Sequence, residues 1–274
     1  MPELPEVENV RQGLEKLVKN KKILSIESSY PRMVLTGFEE LKKELEGREI
    51  KAIKRRGKYL LFDFGQWTLI SHLRMEGKYR VEPLDFESQK HDHIFVRFSD
   101  AVLVYADVRK FGTWELLDSG EVEHYFISKK IGPEPRTEDF DETLFSKKLH
   151  QSQKKIKPYL LDQTLVAGLG NIYVDEVLWR SQVHPETVSS ELSAKQIHLI
   201  HDKTIEVLQT AVERGGSSIR TYKNAMGKEG SMQELLMVYG KQGEICPRCH
   251  KAEIEKIKVA GRGSHFCPHC QKIK

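Results

Sequence analysis

Apolar residues recur at helical spacing at the start of the chain and again through its second half, with short alternating runs between. Val7, Val10, Leu14 and Leu17 share one face of a helix predicted over 5–18. Pro5 suits its first turn, and Glu6 and Glu8 suit the positive end of its dipole, so Pro2 and Glu3 immediately precede a helix N-terminus. From about residue 22 to 117 the pattern is β. Residues 50–53, 59–64, 68–70, 94–98 and 102–105 form short runs, with turn signals at Gly65-Gln66 and Ser99-Asp100. Many short strands predict a sandwich or barrel. From about residue 137 the pattern is helical, most clearly over 193–213. There Ser193 and Gln196 make a capping box, and Ile197, Ile200, Leu208 and Ala211 share a face. Arg214-Gly215-Gly216 stops that helix.

The length, 274 residues, favours two domains with a small appendage. A content of 39% hydrophobic and 31% charged residues excludes a disordered chain. No run of 18 apolar residues exists, so neither a transmembrane helix nor a membrane partner is expected. The acidic start, Met1 to Glu6, lacks an apolar h-region, which predicts a cytoplasmic location. The net charge of +4 says little by itself, but its distribution says more. From Lys241 to Lys274, eight Lys/Arg face three Glu, and Lys54-Arg55-Arg56-Gly57-Lys58 forms a second basic cluster. Either cluster taken alone reads first as a solvated, Lys-rich surface.

All four cysteines lie in the last 29 residues, as Cys246-Pro247-Arg248-Cys249 and Cys267-Pro268-His269-Cys270. This is the spacing of a structural zinc site, and four thiolates leave no open position for chemistry. A disulfide framework fits poorly without an export signal. A segment this short cannot bury a useful core, so Zn2+ must supply its folding energy. Two strand-like stretches, 252–259 and 264–266, joined by Ala260-Gly261-Arg262-Gly263, predict a zinc-held β-hairpin offering Arg262 at its tip, where it can grip phosphate.

Two further stretches carry chemistry. In Gly168-Leu169-Gly170-Asn171 the glycines permit close backbone approach and Asn171 is placed to cap the following helix, whose N-terminal amides suit a phosphate. A third glycine and a βαβ setting are missing, which excludes a dinucleotide fold. In Asp107-Val108-Arg109-Lys110-Phe111-Gly112, Phe111 is either a core residue at a hairpin end or a wedge entering a base stack.

The opening Pro2-Glu3-Leu4-Pro5-Glu6-Val7-Glu8 closely resembles the N-terminus of the formamidopyrimidine-DNA glycosylase family of bifunctional repair enzymes. So do Arg56-Gly57-Lys58-Tyr59-Leu60, Ser71-His72-Leu73-Arg74-Met75-Glu76-Gly77, Lys90-His91-Asp92-His93, the 107–112 stretch, Gly132-Pro133-Glu134-Pro135, Ile156-Lys157-Pro158, Gly168 to Tyr173, Arg214-Gly215-Gly216-Ser217, Val238-Tyr239-Gly240 and the cysteine hairpin. The matches span the chain in the family's order. The resemblance implies an α+β multidomain fold: an N-terminal β-sandwich catalytic domain with flanking helices over 1–131, a helix–two-turn–helix domain over 132–236 and a zinc finger over 237–274. Its partner would be double-stranded DNA containing oxidised bases, bound by a monomer between the two main lobes.

The same resemblance implies the roles. Met1 is removed and the Pro2 amine attacks C1′ of the damaged nucleotide, forming an iminium that allows β,δ-elimination. An α-amino group titrates near 8 rather than the lysine value of about 10, so some of it is unprotonated at neutral pH. Glu3 shuttles protons at O4′, Glu6 supports the site, Lys58 contacts phosphate and Arg262 grips the flanking phosphates. His91, Arg109, Asn171 and Tyr239 contact DNA, and Met75, Arg109 and Phe111 fill the stack left by a flipped nucleotide. The stretch from Gly216 to Gly230, with Arg220 and Tyr222, corresponds to the loop that covers the damaged base. The lysine that some members carry just upstream of Ile156-Lys157-Pro158 has no aligned counterpart; Lys154 and Lys155 are offset from it. Two alternatives remain: an endonuclease VIII-type enzyme for oxidised pyrimidines, and a non-catalytic zinc-finger damage binder. Leu4, Arg109 to Gly112 and the covering-loop stretch favour the purine enzyme over the first, and the presence of Pro2, Glu3 and Lys58 disfavours the second.

Overall fold

The computed structural model describes residues 1–136, 138–217 and 230–273. The chain forms two compact units, Met1–Lys129 with Gly215–Gly230, and Lys130–Arg214 with Ser231–Lys274. Arg220 and Tyr222 lie outside the described residues. No helix among the described residues is long and apolar enough to cross a membrane.

The first unit opens with helix α1 (Leu4–Val18), in which Val7, Val10 and Leu14 are fully buried, as the spacing predicts. Pro5 occupies its first turn, and the Glu6 carboxylate accepts the Glu3 backbone N–H at 2.8 Å. Strand β1 (Ser25–Ser28) and helix α2 (Phe38–Leu45) follow. Helix α2 interrupts the stretch expected to be wholly β: Leu41 and Leu45, one turn apart, reach the core while Glu39, Glu40, Lys42 and Lys43 face outward. Then come β2 (Ala52–Arg56), β3 (Tyr59–Asp63), β4 (Trp67–His72), β5 (Lys78–Glu82), β6 (Asp92–Arg97), β7 (Val102–Ala106), β8 (Thr113–Asp118) and helix α3 (Val122–Ser128).

The strands form two antiparallel sheets, ordered β1-β6-β7-β5 and β2-β3-β4-β8. One hydrophobic cluster draws on both, including Ile26, Val96, Leu103 and Tyr105 from the first and Ile53, Leu60, Phe62 and Trp114 from the second. This is a β-sandwich, closed by aromatic contacts such as Phe62 with Tyr79 at 5.6 Å between ring centres. Helix α1 covers the edge strand β2. Arg11 donates to the Ile53 carbonyl at 3.2 Å and Glu15 accepts the Ile53 N–H at 2.8 Å, so side chains satisfy backbone groups that the sheet edge leaves open.

The second unit contains helices α4 (Glu142–His150), α5 (Ile156–Leu161), α6 (Asn171–Arg180) and α7 (Ala194–Glu213), and the hairpin β9 (Glu255–Val259) and β10 (Arg262–Phe266). The capping box of Ser193 and Gln196 starts α7, and the helix ends at Arg214. Helices α5 and α7 flank α6, and β10 packs on α6. The hairpin turn is shorter than the sequence indicates. Ala260 and Gly261 alone form it, both at positive φ (44° and 80°), and Arg262 is already the first paired residue of β10, opposite Val259. Two central residues at positive φ match the strand twist of a tight hairpin.

Candidate nucleic-acid interface

Strand register decides which residues of the first unit meet. In one sheet Tyr59 pairs with His72 and His72 with Thr113; in the other Lys78 and Asp92 both pair with Ala106. The Gly57-Lys58 turn, the 73–77 crossover, His91 and the 107–112 crossover therefore lie at one end of the sandwich. Gly57 adopts a φ of 57°, a left-handed conformation open to glycine, which turns β2 directly into β3 and seats Lys58, only 5% exposed, beside the strands.

The start of α1 runs toward the same end. Glu15 meets Ile53, and about one turn before Arg11 the Glu8 carboxylate accepts from Arg55 at 2.9 Å and from Arg11 at 2.8 Å. Burial pushes the Glu8 carboxyl up, but these two guanidinium groups outweigh it and hold it below its ordinary range. Arg55 also donates to the Gly57 carbonyl at 2.9 Å, tying the helix start to the Lys58 turn. Pro2 is buried behind the exposed Met1, and Glu3 is 2% exposed. The buried Glu6 carboxylate spans two segments: one oxygen takes the Glu3 N–H and the other takes the Ser217 N–H at 2.7 Å.

Met75 and Phe111 are solvent-exposed, 39% and 53%, which excludes a core role for either. The Arg109 guanidinium sits 4.6 Å above the Phe111 ring, and Arg109 itself is exposed. Asp107, 1% exposed, builds this loop. Its carboxylate accepts the N–H groups of Arg109 at 2.9 Å and Gly112 at 2.8 Å, its carbonyl lies 3.0 Å from the His93 ring, and its own N–H donates to the His91 carbonyl at 3.0 Å. Asp107→Ala leaves two backbone donors without this acceptor and is expected to cost about 2–3 kcal/mol in a denaturant melt.

His72 builds the neighbouring crossover by accepting the Arg74 N–H at its Nδ1, 2.9 Å away. Burial lowers its pKa to about 3, with the cationic Arg74 and Lys58 adding to the effect. The folded state thus holds His72 neutral while the unfolded chain protonates it below about 6.5. Stability attributable to this group is complete above that pH and falls on acidification toward 3. Between pH 6.5 and 5 the native chain should lose about 2 kcal/mol more than His72→Gln, read from melts at the two pH values.

In the second unit Asn171 is the first residue of α6, and Gly170 occupies the N-cap position. The Asn171 side chain does not cap the helix as the sequence indicates. Its amide instead donates to the Gly263 carbonyl at 3.0 Å, next to the exposed Arg262. Tyr239 is half-buried, its ring 4.9 Å from that of His265, and its N–H donates to Glu176 at 3.0 Å.

The sulfurs of Cys246, Cys249, Cys267 and Cys270 all lie within 4.8 Å of one another. Cys246 and Cys270 are 4.0 Å apart, and Cys249 and Cys267 are 3.7 Å apart. A tetrahedron of thiolates about 2.3 Å from zinc has edges of roughly 3.8 Å, so the donor set fits one structural Zn2+. When bound, the ion supplies folding energy to the hairpin.

Three family models match the chain: the formamidopyrimidine-DNA glycosylase N-terminal domain over residues 1–114, the formamidopyrimidine-DNA glycosylase H2TH domain over 131–223, and the zinc finger found in FPG and IleRS over 243–273. A formamidopyrimidine-DNA glycosylase of Lactococcus lactis subsp. cremoris is 64% identical over 265 residues, 96% of each chain. This chain belongs to the formamidopyrimidine-DNA glycosylase family. A second glycosylase of that name, from Streptococcus thermophilus, is 55% identical over 273 residues, covering 99% of this chain and 100% of its own. Among solved structures, the Lactococcus lactis Fpg in complex with DNA containing an abasic site aligns with a TM-score of 0.96 at 64% identity, over 99% of this chain and 100% of that one. A structure of MutM in complex with DNA containing carbocyclic 8-oxo-G aligns at 0.95 and 63%, with the same coverage.

Sequence reasoning missed Asp107 as the organiser of its loop, and it missed the buried acids of α6. The signal for the latter is legible in retrospect: Asp175 and Glu176 interrupt an otherwise apolar run from Ile172 to Trp179. Both are buried, at 1% and 0%. Charged residues in such a setting require partners.

Proposed function

We propose that this chain excises oxidised purines, 8-oxoguanine and formamidopyrimidines, from duplex DNA and then cuts the strand by β,δ-elimination through a Schiff base at Pro2. The observation that carries the proposal is 64% identity over nearly the whole chain to a formamidopyrimidine-DNA glycosylase, with Pro2 and Glu3 held at the start of α1.

Removal of Met1 frees a secondary amine. Its lone pair attacks C1′ as the bond to the base breaks, and the base leaves with a proton. Glu3 delivers a proton to O4′, the sugar ring opens, and the nitrogen becomes an iminium that acidifies the C2′ proton. Loss of that proton expels the 3′ phosphate, and a second elimination expels the 5′ phosphate. Lys58 contacts phosphate and assists these steps, and Glu6 fixes the α1 start. Arg262 and Asn171 grip the backbone around the flipped nucleotide, with His91 and Tyr239 as further contacts. The exposed Met75, Arg109 and Phe111 enter the vacated stack. The enzyme acts as a monomer on nucleoid DNA in the cytoplasm, with its catalytic sandwich over 1–131, its helical domain over 132–236 and its finger over 237–274.

Cleavage of duplexes carrying one lesion each tests the substrate. Strand cutting at 8-oxoguanine opposite cytosine is expected. Cutting at an oxidised pyrimidine with none at 8-oxoguanine would instead assign the endonuclease VIII-type activity.

A further inference from the structure

We propose that Asp175 is a positioning residue for the reaction: it fixes strand β10 on α6 and thereby the point at which Arg262 is presented. The inference rests on the reading of Arg262 as a phosphate-gripping residue. Asp175 lies in the first turns of α6, 1% exposed, and both of its oxygens are engaged. Oδ1 receives the Lys157 ammonium at 2.7 Å. Oδ2 receives the His265 backbone N–H at 2.8 Å and lies 3.2 Å from Nδ1 of the His265 ring. Lys157, fully buried in α5, also donates to the Gly263 carbonyl at 2.9 Å, and Asn171 donates to that same oxygen at 3.0 Å.

Two residues of β10, Gly263 and His265 on either side of Ser264, are thus bonded to side chains of α5 and α6. Arg262 is the next residue outward and is exposed. Ring contacts of Phe266 with His184 at 4.5 Å and of His265 with Tyr239 at 4.9 Å also seat β10, but neither involves Gly263, the residue beside Arg262. Zinc holds the far end of the finger through the cysteines, whereas Asp175 acts beside the tip. A carboxylate meeting a cation and an N–H at fixed angles constrains direction as well as distance. An ion pair this well buried is a poor source of net stability against an apolar pair of similar size, and geometry is the better account of it.

A double-mutant cycle of Asp175→Asn with Arg262→Ala, read as abasic-site binding and single-turnover cutting, tests the proposal. Zinc content is measured alongside. Misplacing a gripping group by about 1 Å costs on the order of 100-fold. Asp175→Asn is therefore expected to lose roughly 10- to 100-fold in the native background and almost nothing further once Arg262 is Ala, with one zinc retained. Equal losses in both backgrounds, or no loss in the native one, would overturn the positioning role. Arg262→Ala without any effect would sink the phosphate reading of Arg262 first, and the inference with it. If Asp175→Asn does not retain zinc, the pair Lys157→Met with Asp175→Leu removes both buried charges together and takes its place in the cycle, with the same outcomes decisive.

Discussion

A chain carrying one extra residue between Met1 and Pro2, too large to permit Met1 removal, will neither release 8-oxoguanine nor cut at an abasic site. Acylation turns the Pro2 nitrogen into a tertiary amide, whose lone pair is delocalised into the carbonyl and whose nitrogen cannot become an iminium. Removing a covalent nucleophile elsewhere costs on the order of 10⁶-fold, and a loss of roughly 10⁴- to 10⁶-fold is expected here. Affinity for damaged duplex should change far less, because Arg109, Asn171 and Arg262 are untouched. Pro2 is buried while Met1 is exposed, so the added residue extends outward from the start of α1. The readouts are base release and strand cutting under single-turnover conditions, with binding measured in parallel. Full activity of the extended chain would remove Pro2 from the chemistry.

Loss of zinc is the second large effect. Structural zinc contributes roughly 10–16 kcal/mol in finger-sized peptides, and the small cluster around Cys246, Ile254 and Cys267 cannot replace it. Cys267→Ser, or a strong chelator, should therefore abolish amide protection across β9 and β10 while the sandwich core keeps its own. Once the hairpin unfolds, Arg262 loses its fixed position, and Gly263 and His265 are no longer presented to Lys157, Asn171 and Asp175. Affinity for abasic duplex is expected to fall about 100-fold, equivalent to roughly 2.7 kcal/mol. Hydrogen exchange and DNA titration of zinc-free protein measure the two effects. Unchanged protection in β9 and β10 would show that the finger folds without metal.

Much of this was legible in the sequence because local chemistry dictated it. The cysteine spacing fixed the donor set, the Ser193–Gln196 box fixed the start of α7, and Val7, Val10 and Leu14 fixed the inward face of α1. What escaped depended on long-range partners. Strands β1 and β5 are short, and Lys78 to Glu82 alternates weakly because only Tyr79 in it is fully buried. Helix α2 has two core residues, too few to impose a period on its surroundings. Asn171 looked like a helix cap because its position relative to the glycines is local, but its partner, the Gly263 carbonyl, is 92 residues away. The convergence of Lys58, Met75, His91 and Arg109 follows from strand register, which alternation alone does not supply.

The central claim is that the Pro2 amine carries the chemistry. Borohydride reduction of the native protein with an 8-oxoguanine duplex, followed by peptide mapping, tests it most directly. The account predicts one stable protein–DNA adduct, on Pro2, forming in parallel with strand cutting. Strand cutting with the adduct on Lys58, or with no adduct at all, would contradict it.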